Sequence, residues 1–165
     1  MINFNETKIT KGNIFTEKFT KFSNPAILNK FVNKTIYPIM DKYKGISESI
    51  DSNIGHISFY TYDKSVNLKR FIDSIIPLFE KLCDPLFLSF KVSKDRASYV
   101  GDKPVYSYTF KLQDAPINLP PFKDIESISD YYDSIIKELQ IIGIAESDIS
   151  YSRLYRYLQT QSRLL

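Results

Sequence analysis

The segment HISFYTYDKSVNLKRFIDSIIPLFEKLCDPLFLSFKV, residues 56–92, decides the fold. Its first part, residues 56–62, is β-branched and aromatic and lies between Gly55 and Asp63, a pattern that predicts a strand. Its last part, residues 86–92, alternates apolar and polar side chains, which predicts a second strand. A helical repeat lies between the two, so the sequence predicts a strand–helix–strand unit whose two strands can run parallel.

The helix inside this segment has the clearest amphipathic pattern in the chain. We expect Ser65 or Asn67 to cap it and the helix to continue to about Leu82, because the pair 84–85, Asp-Pro, is typical of a helix end. Pro77 is expected to bend or shorten it. The apolar face comprises Leu68, Phe71, Ile72, Ile75, Ile76, Phe79 and Leu82. Such a face must be buried against other elements.

A second alternating run, residues 105–112, follows a polar turn over about residues 93–103. The two runs predict an antiparallel hairpin. The apolar face of the second run consists of Tyr106, Tyr108, Phe110 and Leu112. Exposed strand aromatics can stack on nucleic-acid bases, but we expect this face to be core because the strand offers no other apolar face.

Further helices flank the strands. One is expected from Pro25 to about Lys44 with a kink at Pro38, one over residues 127–142, and a last one capped by Asp148 or Ser150. The order α–β–α–β–β–α–α predicts an α+β fold, with helices packed on one face of a small, mostly antiparallel sheet of about three strands. Residues 45–53 are expected to be a polar connection, although segments 1–15 and 45–55 are candidates for a further strand.

The length of 165 residues suggests one domain, which we place at residues 24–148. Residues 1–23 form an N-terminal arm, and residues 149–165 form a basic, aromatic C-terminal helix. All 19 acidic residues lie before residue 149 and are balanced there by 19 basic ones, so the net charge of +3 belongs to the last segment. A neutral body with a basic end favours local recognition over general binding to polyanions.

Composition also limits the compartment. The single cysteine, Cys83, excludes an intramolecular disulfide, and we expect it to be buried. The first residues lack a basic, then apolar signal pattern, and no stretch is long and apolar enough to span a membrane. We therefore expect a cytoplasmic protein with no membrane association. The abundance of residues with AT-rich codons indicates an AT-rich genome, such as that of a phage.

The search for catalytic chemistry is negative. A single histidine, His56, excludes a multi-histidine metal site, and the five glycines form no phosphate-binding loop. The carboxylates Glu126, Asp130 and Asp133 fall on the polar side of their helix, where solvated charges belong. The sequence therefore predicts a protein that is not an enzyme and binds neither cofactor nor metal.

The candidate binding residues lie at the two ends of the chain. Arginine and tyrosine are the residue types enriched at interface hot spots, and arginine also binds phosphate. The candidates in the C-terminal helix are Arg153, Tyr155, Arg156, Tyr157 and Arg163. In the arm, Phe15 and Phe19 lie one helical turn apart and are expected to dock on this chain or a neighbour.

These features favour a non-enzymatic subunit that acts through protein–protein contacts, in a homo-oligomer or a larger assembly. In element order alone, the chain resembles the small tail-completion and terminator proteins of phages, which implies a viral structural or connector component. Two alternatives are a small nucleic-acid-binding module that uses the C-terminal arginines and a sheet face, and a phage-encoded inhibitor of a host protein.

Overall fold

One antiparallel sheet forms the centre of the fold. The structure, a computed structural model, describes residues 15–16, 21–96 and 98–165. The strands are β1 (Ser47–Asp51), β2 (His56–Thr61), β3 (Leu88–Lys94), β4 (Ser98–Val100) and β5 (Lys103–Asp114). They are ordered β1-β2-β5-β3, and β4 pairs with β5 next to the hairpin turn. The α+β class and the hairpin are therefore confirmed.

The expected number of three strands was wrong. Strand β1 lies in the segment expected to be a polar connection, which was also named as a candidate for a further strand, and β4 lies in the expected turn. Neither strand buries a side chain: β1 alternates between exposed and half-buried residues, and all three residues of β4 are exposed. A strand that buries no side chain completely has little apolar periodicity, so the pattern that revealed β2, β3 and β5 is missing here.

Strands β2 and β3 run in the same direction, as the strand–helix–strand unit allowed, but they are not neighbours. Strand β5 lies between them and is antiparallel to both. Cross-strand partners align Ile57 and Val92 with Phe110, and the side chains of all three are buried. The buried apolar side chains of β2, β3 and β5 therefore lie on one face of the sheet, and α3 packs against that face.

The helices are α1 (Pro25–Phe31), α2 (Tyr37–Met40), α3 (Leu68–Leu86), α4 (Ile125–Gln140), α5 (Glu146–Ile149) and α6 (Arg153–Arg163). A π-helical segment, Val32–Ile36, joins α1 to α2, and the Tyr37 N–H donates to the Val32 carbonyl five residues back. Pro38 has no N–H to continue the α-helical ladder. The distortion expected at this proline thus takes the form of a wider turn, and the helix ends at Met40, earlier than expected.

Helix α3 begins where expected, because the Asn67 side chain accepts a hydrogen bond from the Arg70 N–H at 3.0 Å. Its expected end near Leu82 was wrong, since the helix continues to Leu86 with Pro77 and Pro85 inside it. Leu86 is fully buried and completes the apolar face. Phe87 then ends the helix in the left-handed conformation, at a φ of 55°.

The other two long helices also begin away from their expected positions. Helix α4 starts at Ile125 because Asp124 and Ser127 form a capping box. The expected caps for the last helix, Asp148 and Ser150, were wrong. A short helix, α5, occupies that region, and Ser152 caps α6 by accepting a hydrogen bond from the Tyr155 N–H at 3.0 Å.

Phenylalanine rings from the sheet and from α3 form the centre of the core. The Phe79 ring stacks on Phe110 at a centroid distance of 4.3 Å, and Phe59 contacts Phe71 at 5.2 Å and Phe110 at 5.7 Å. Tyr108 is also buried, at 5% exposure, so the expectation that this strand face is core is confirmed for its central residues. Aromatic pairs in these offset and edge-on geometries add to the stability gained by burial.

A buried ion pair joins the end of β5 to the start of α6. Asp114 is 2% exposed, and its Oδ2 lies 3.9 Å from Nε of Arg153. The same carboxylate accepts hydrogen bonds from the N–H and the hydroxyl of Ser23, at 2.9 and 2.6 Å. Nη2 of Arg153 donates to the carbonyls of Phe87 and Ala115, at 2.7 and 2.6 Å.

These bonds connect five places in the chain: the entry to α1, the end of α3, the end of β5, the connector that follows β5, and the first turn of α6. The backbone N–H of Arg153 also donates to the Asn24 side chain at 3.1 Å. Burial lowers the pKa of the Arg153 guanidinium, and the Asp114 carboxylate opposes that shift. The C-terminal helix is thus fixed to the body by charge as well as by its apolar side.

We expect Arg153→Ala to lower the free energy of unfolding by about 3 kcal/mol, because it leaves the Asp114 carboxylate buried without a counter-charge. Arg156→Ala is the matched control: this exposed arginine lies on the same helix, and its loss should change stability by no more than about 0.5 kcal/mol. Urea unfolding of both variants measures the difference. Equal unfolding midpoints would contradict this role for Arg153.

Candidate functional site

Helix α6 carries most of the residues expected to bind a partner. Its inner side is set by Leu154 and Leu158, which are buried in the common core. Tyr155 also turns inward, with its ring 5.4 Å from that of Tyr132 on α4. The structure therefore gives Tyr155 a contact within the chain, and this contact helps to hold α6 against α4.

A shallow groove of about 460 Å³ lies where α6 passes the connector after β5. It is lined by Ile117, Arg153, Arg156, Tyr157, Thr160 and Gln161. Three of the expected binding residues, Arg153, Arg156 and Tyr157, are thus brought together. We call this feature the α6 groove.

The two arginines of the α6 groove differ in what they contact. The guanidinium of Arg153 is turned toward the body, where it donates to two carbonyls. Arg156 is exposed, and its guanidinium makes a long hydrogen bond of 3.4 Å from Nη1 to the carbonyl of Tyr151. Tyr157 is intermediate in exposure, because it packs against the core and also lines the groove. Arg156 and Tyr157 are the groove residues best placed to touch another molecule.

The other expected binding residues lie elsewhere. Arg163 is exposed in the last turn of α6, beside Leu164, which is 75% exposed, and Leu165. Phe15 is half-buried. Its neighbour Thr16 exchanges two hydrogen bonds with the Gln113 side chain, at 2.8 and 2.9 Å. Phe19 lies outside the described residues.

Sequence reasoning missed three residues that line the α6 groove: Ile117, Thr160 and Gln161. Ile117 belongs to a segment with three prolines, Pro116, Pro120 and Pro121, and the structure shows no helix or strand over residues 115–122. The prolines signal that the connector is extended. Nothing in the sequence tells which helix the connector passes, so its contribution to the groove was hidden.

Within the described part of the chain, no group of three or more histidine, cysteine or acidic side chains is arranged to hold a metal ion. Cys83 is fully buried, and burial raises the pKa of its thiol. His56 lies in register between Asp51 and Lys111 on neighbouring strands. Burial and the charge of Lys111 lower the pKa of His56, while Asp51 opposes the shift. Among the described residues, no helix is both long and apolar enough to cross a membrane.

The contact between α4 and α6 makes a pH-dependent contribution to stability. Burial, followed by the charge of Glu146, raises the pKa of Tyr132 to about 12. A raised folded-state pKa gives stability that is complete below the unfolded value near 10 and is lost as the pH rises toward 12. We expect Tyr132→Phe to flatten this decline in denaturant titrations made from pH 9 to about pH 12. The matched control is Tyr99→Phe, on an exposed tyrosine, which should leave the decline unchanged.

No protein-family model matches this chain, and comparison with the curated proteins and with the solved structures gave no match either.

Proposed function

We propose that this protein is a non-enzymatic interaction subunit that forms an assembly with further copies of its own chain, using the α6 groove as a contact surface. The observation that carries the proposal is that Arg156 and Tyr157 line one groove on a helix held in place by the ion pair of Arg153 with the buried Asp114. Arginine and tyrosine are enriched among the residues that dominate binding energy at protein interfaces.

The rigid backing of α6 supports this function energetically. Association costs free energy whenever a helix or a loop must be ordered at the interface. Helix α6 is already fixed by Leu154 and Leu158 in the core and by Arg153 at its first turn. Binding therefore has to order little beyond the side chain of Arg156, so little of the contact energy is lost to ordering the interface.

The charge distribution supports a second copy as the partner. The segment from residue 149 onward has three arginines and no acidic residue, whereas every acidic side chain of the chain lies earlier. The body of one copy can therefore supply a carboxylate to Arg156 of another. The AT-rich residue usage supports the narrower proposal of a phage or viral connector subunit that works in the host cytoplasm.

We expect Arg156→Glu to weaken self-association by about 30-fold, which corresponds to the loss of about 2 kcal/mol at one hot spot. Size-exclusion chromatography coupled to light scattering measures the mass of each species. The matched control is Lys137→Glu, which makes the same change of charge on the exposed side of α4. The wild type and this control should form the same oligomer, and Arg156→Glu should shift toward monomer.

Two results would count against the proposal. A wild-type protein that is monomeric and free of nucleic acid at high concentration would remove self-assembly and favour the inhibitor hypothesis. A monomer that co-purifies with nucleic acid, detected from its ultraviolet absorbance, would favour the nucleic-acid-binding alternative. In that case the binding should fall steeply with salt concentration.

A further inference from the structure

Helix α4 has a row of carboxylates on the side that faces away from the core. Glu126, Asp130 and Asp133 follow one another at intervals of four and three residues, so they lie in one line along the helix. All three are exposed, whereas Ile128 and Ile135 of the same helix are buried. Within the part of the chain that the structure describes, no basic group forms an ion pair with any of the three. We call this feature the α4 acidic row.

The exposed side of α6 carries a row of opposite sign with the same spacing. Arg156, Thr160 and Arg163 are also separated by four and three residues, and all three are exposed. The opposite side of the helix is held in the core by Leu154 and Leu158. Neither arginine of the row forms an ion pair with a described residue, and α6 contains no acidic residue. We call this feature the α6 basic row.

Neighbouring charges do not cancel either row. The lysines nearest to the α4 acidic row are Lys123, before the helix, and Lys137, one turn beyond Asp133. Residues 123–138 include both lysines and five acidic residues, so this stretch has a net charge of −3. Residues 149–165 contain three arginines and no acidic residue, which gives +3. The two surfaces are therefore equal in charge and opposite in sign.

The two rows belong to neighbouring helices of one copy. The rings of Tyr132 on α4 and Tyr155 on α6 are 5.4 Å apart, and Asp133 and Arg156 are the next residues along the two helices. A surface that presents both signs side by side complements itself when a second copy faces it with the two helices exchanged. Each row extends over seven residue steps, about 10.5 Å on either helix. Both arginines of one row can therefore meet carboxylates of the opposing row together.

We propose that the α6 basic row of one copy docks on the α4 acidic row of a second copy, and that the reverse contact forms at the same time in a two-fold dimer. This inference rests on the proposed function and names the surface that Arg156 contacts. A single exposed ion pair contributes little, but complementary rows select and orient the partner. The two-fold arrangement makes the contact twice, and Tyr157 lies beside Arg156 to add aromatic contact area.

The test is an exchange of charges, measured by size-exclusion chromatography with light scattering on the full-length protein. One variant is Arg156→Glu/Arg163→Glu, and the other is Glu126→Arg/Asp133→Arg. Alone, each variant opposes rows of mostly like charge, so each should associate at least about 30-fold more weakly than the wild type. An equimolar mixture of the two opposes rows of unlike charge in both contacts, and it should regain the mass of the wild-type oligomer.

The matched control is Asp41→Arg/Asp102→Arg, which makes the same change of charge at two exposed carboxylates elsewhere and should associate like the wild type. Raising the salt concentration from about 50 mM to about 500 mM should weaken association of the wild type, because salt screens exposed charges. Cooperative urea unfolding of each variant shows that it is folded. A chain with all four row substitutions should associate with itself like the wild type, since its rows have only exchanged sign.

The outcomes separate this inference from the proposed function. If the wild type forms an oligomer that Glu126→Arg/Asp133→Arg leaves intact, the α4 acidic row is not the partner surface, while the proposed use of the α6 groove stands. A mixture that fails to regain the wild-type mass would also overturn the pairing of the rows. A wild type that stays monomeric at high concentration would remove the proposed function and this inference together.

Discussion

The pairing of Arg153 with Asp114 is the constraint on which the arrangement of the other elements depends. Each partner is costly to bury alone, and each also makes two hydrogen bonds that no apolar pair can replace. Apolar packing holds α6 against the body, but packing alone tolerates sliding and rotation of a short helix. A guanidinium that must reach the carbonyls of Phe87 and Ala115 together leaves little such freedom. The ion pair therefore contributes specificity of position more than net stability.

This fixed position explains why two arginines three residues apart have different roles. The guanidinium of Arg153 is hydrogen-bonded to two carbonyls inside the chain, whereas Arg156 lines the α6 groove. The proposed interface thus has a structural residue and a recognition residue in one helical turn. Internal hydrogen bonds thus decide which arginine of α6 remains for another molecule.

Periodicity made the α+β class, helix α3 and the alternation of β5 predictable, because each of these elements buries a face and that face repeats along the sequence. The same signal is missing where an element buries no side chain completely, as in β1 and β4. Helix ends were less predictable, since burial of Leu86 outweighed the helix-breaking tendency of Pro85. For the candidate site, residue type pointed to α6, and the structure places two of its arginines, Arg153 and Arg156, at one groove. Which arginine turns inward depends on carbonyls 66 and 38 residues away along the chain, and no local pattern contains that information.

The hydrogen bond between Arg153 and Asn24 joins residues that are 129 positions apart. Contacts of such long sequence separation form late and slow folding, because a large loop must close before they stabilise anything. During synthesis, the start of α1 and the end of β5 are made before Arg153, the residue that joins them. Until Arg153 is present, the Asp114 carboxylate has no counter-charge. The sheet and α3 contain no residue of α6, so their packing does not require Arg153. The order of synthesis therefore allows the body to form before its joint to α6.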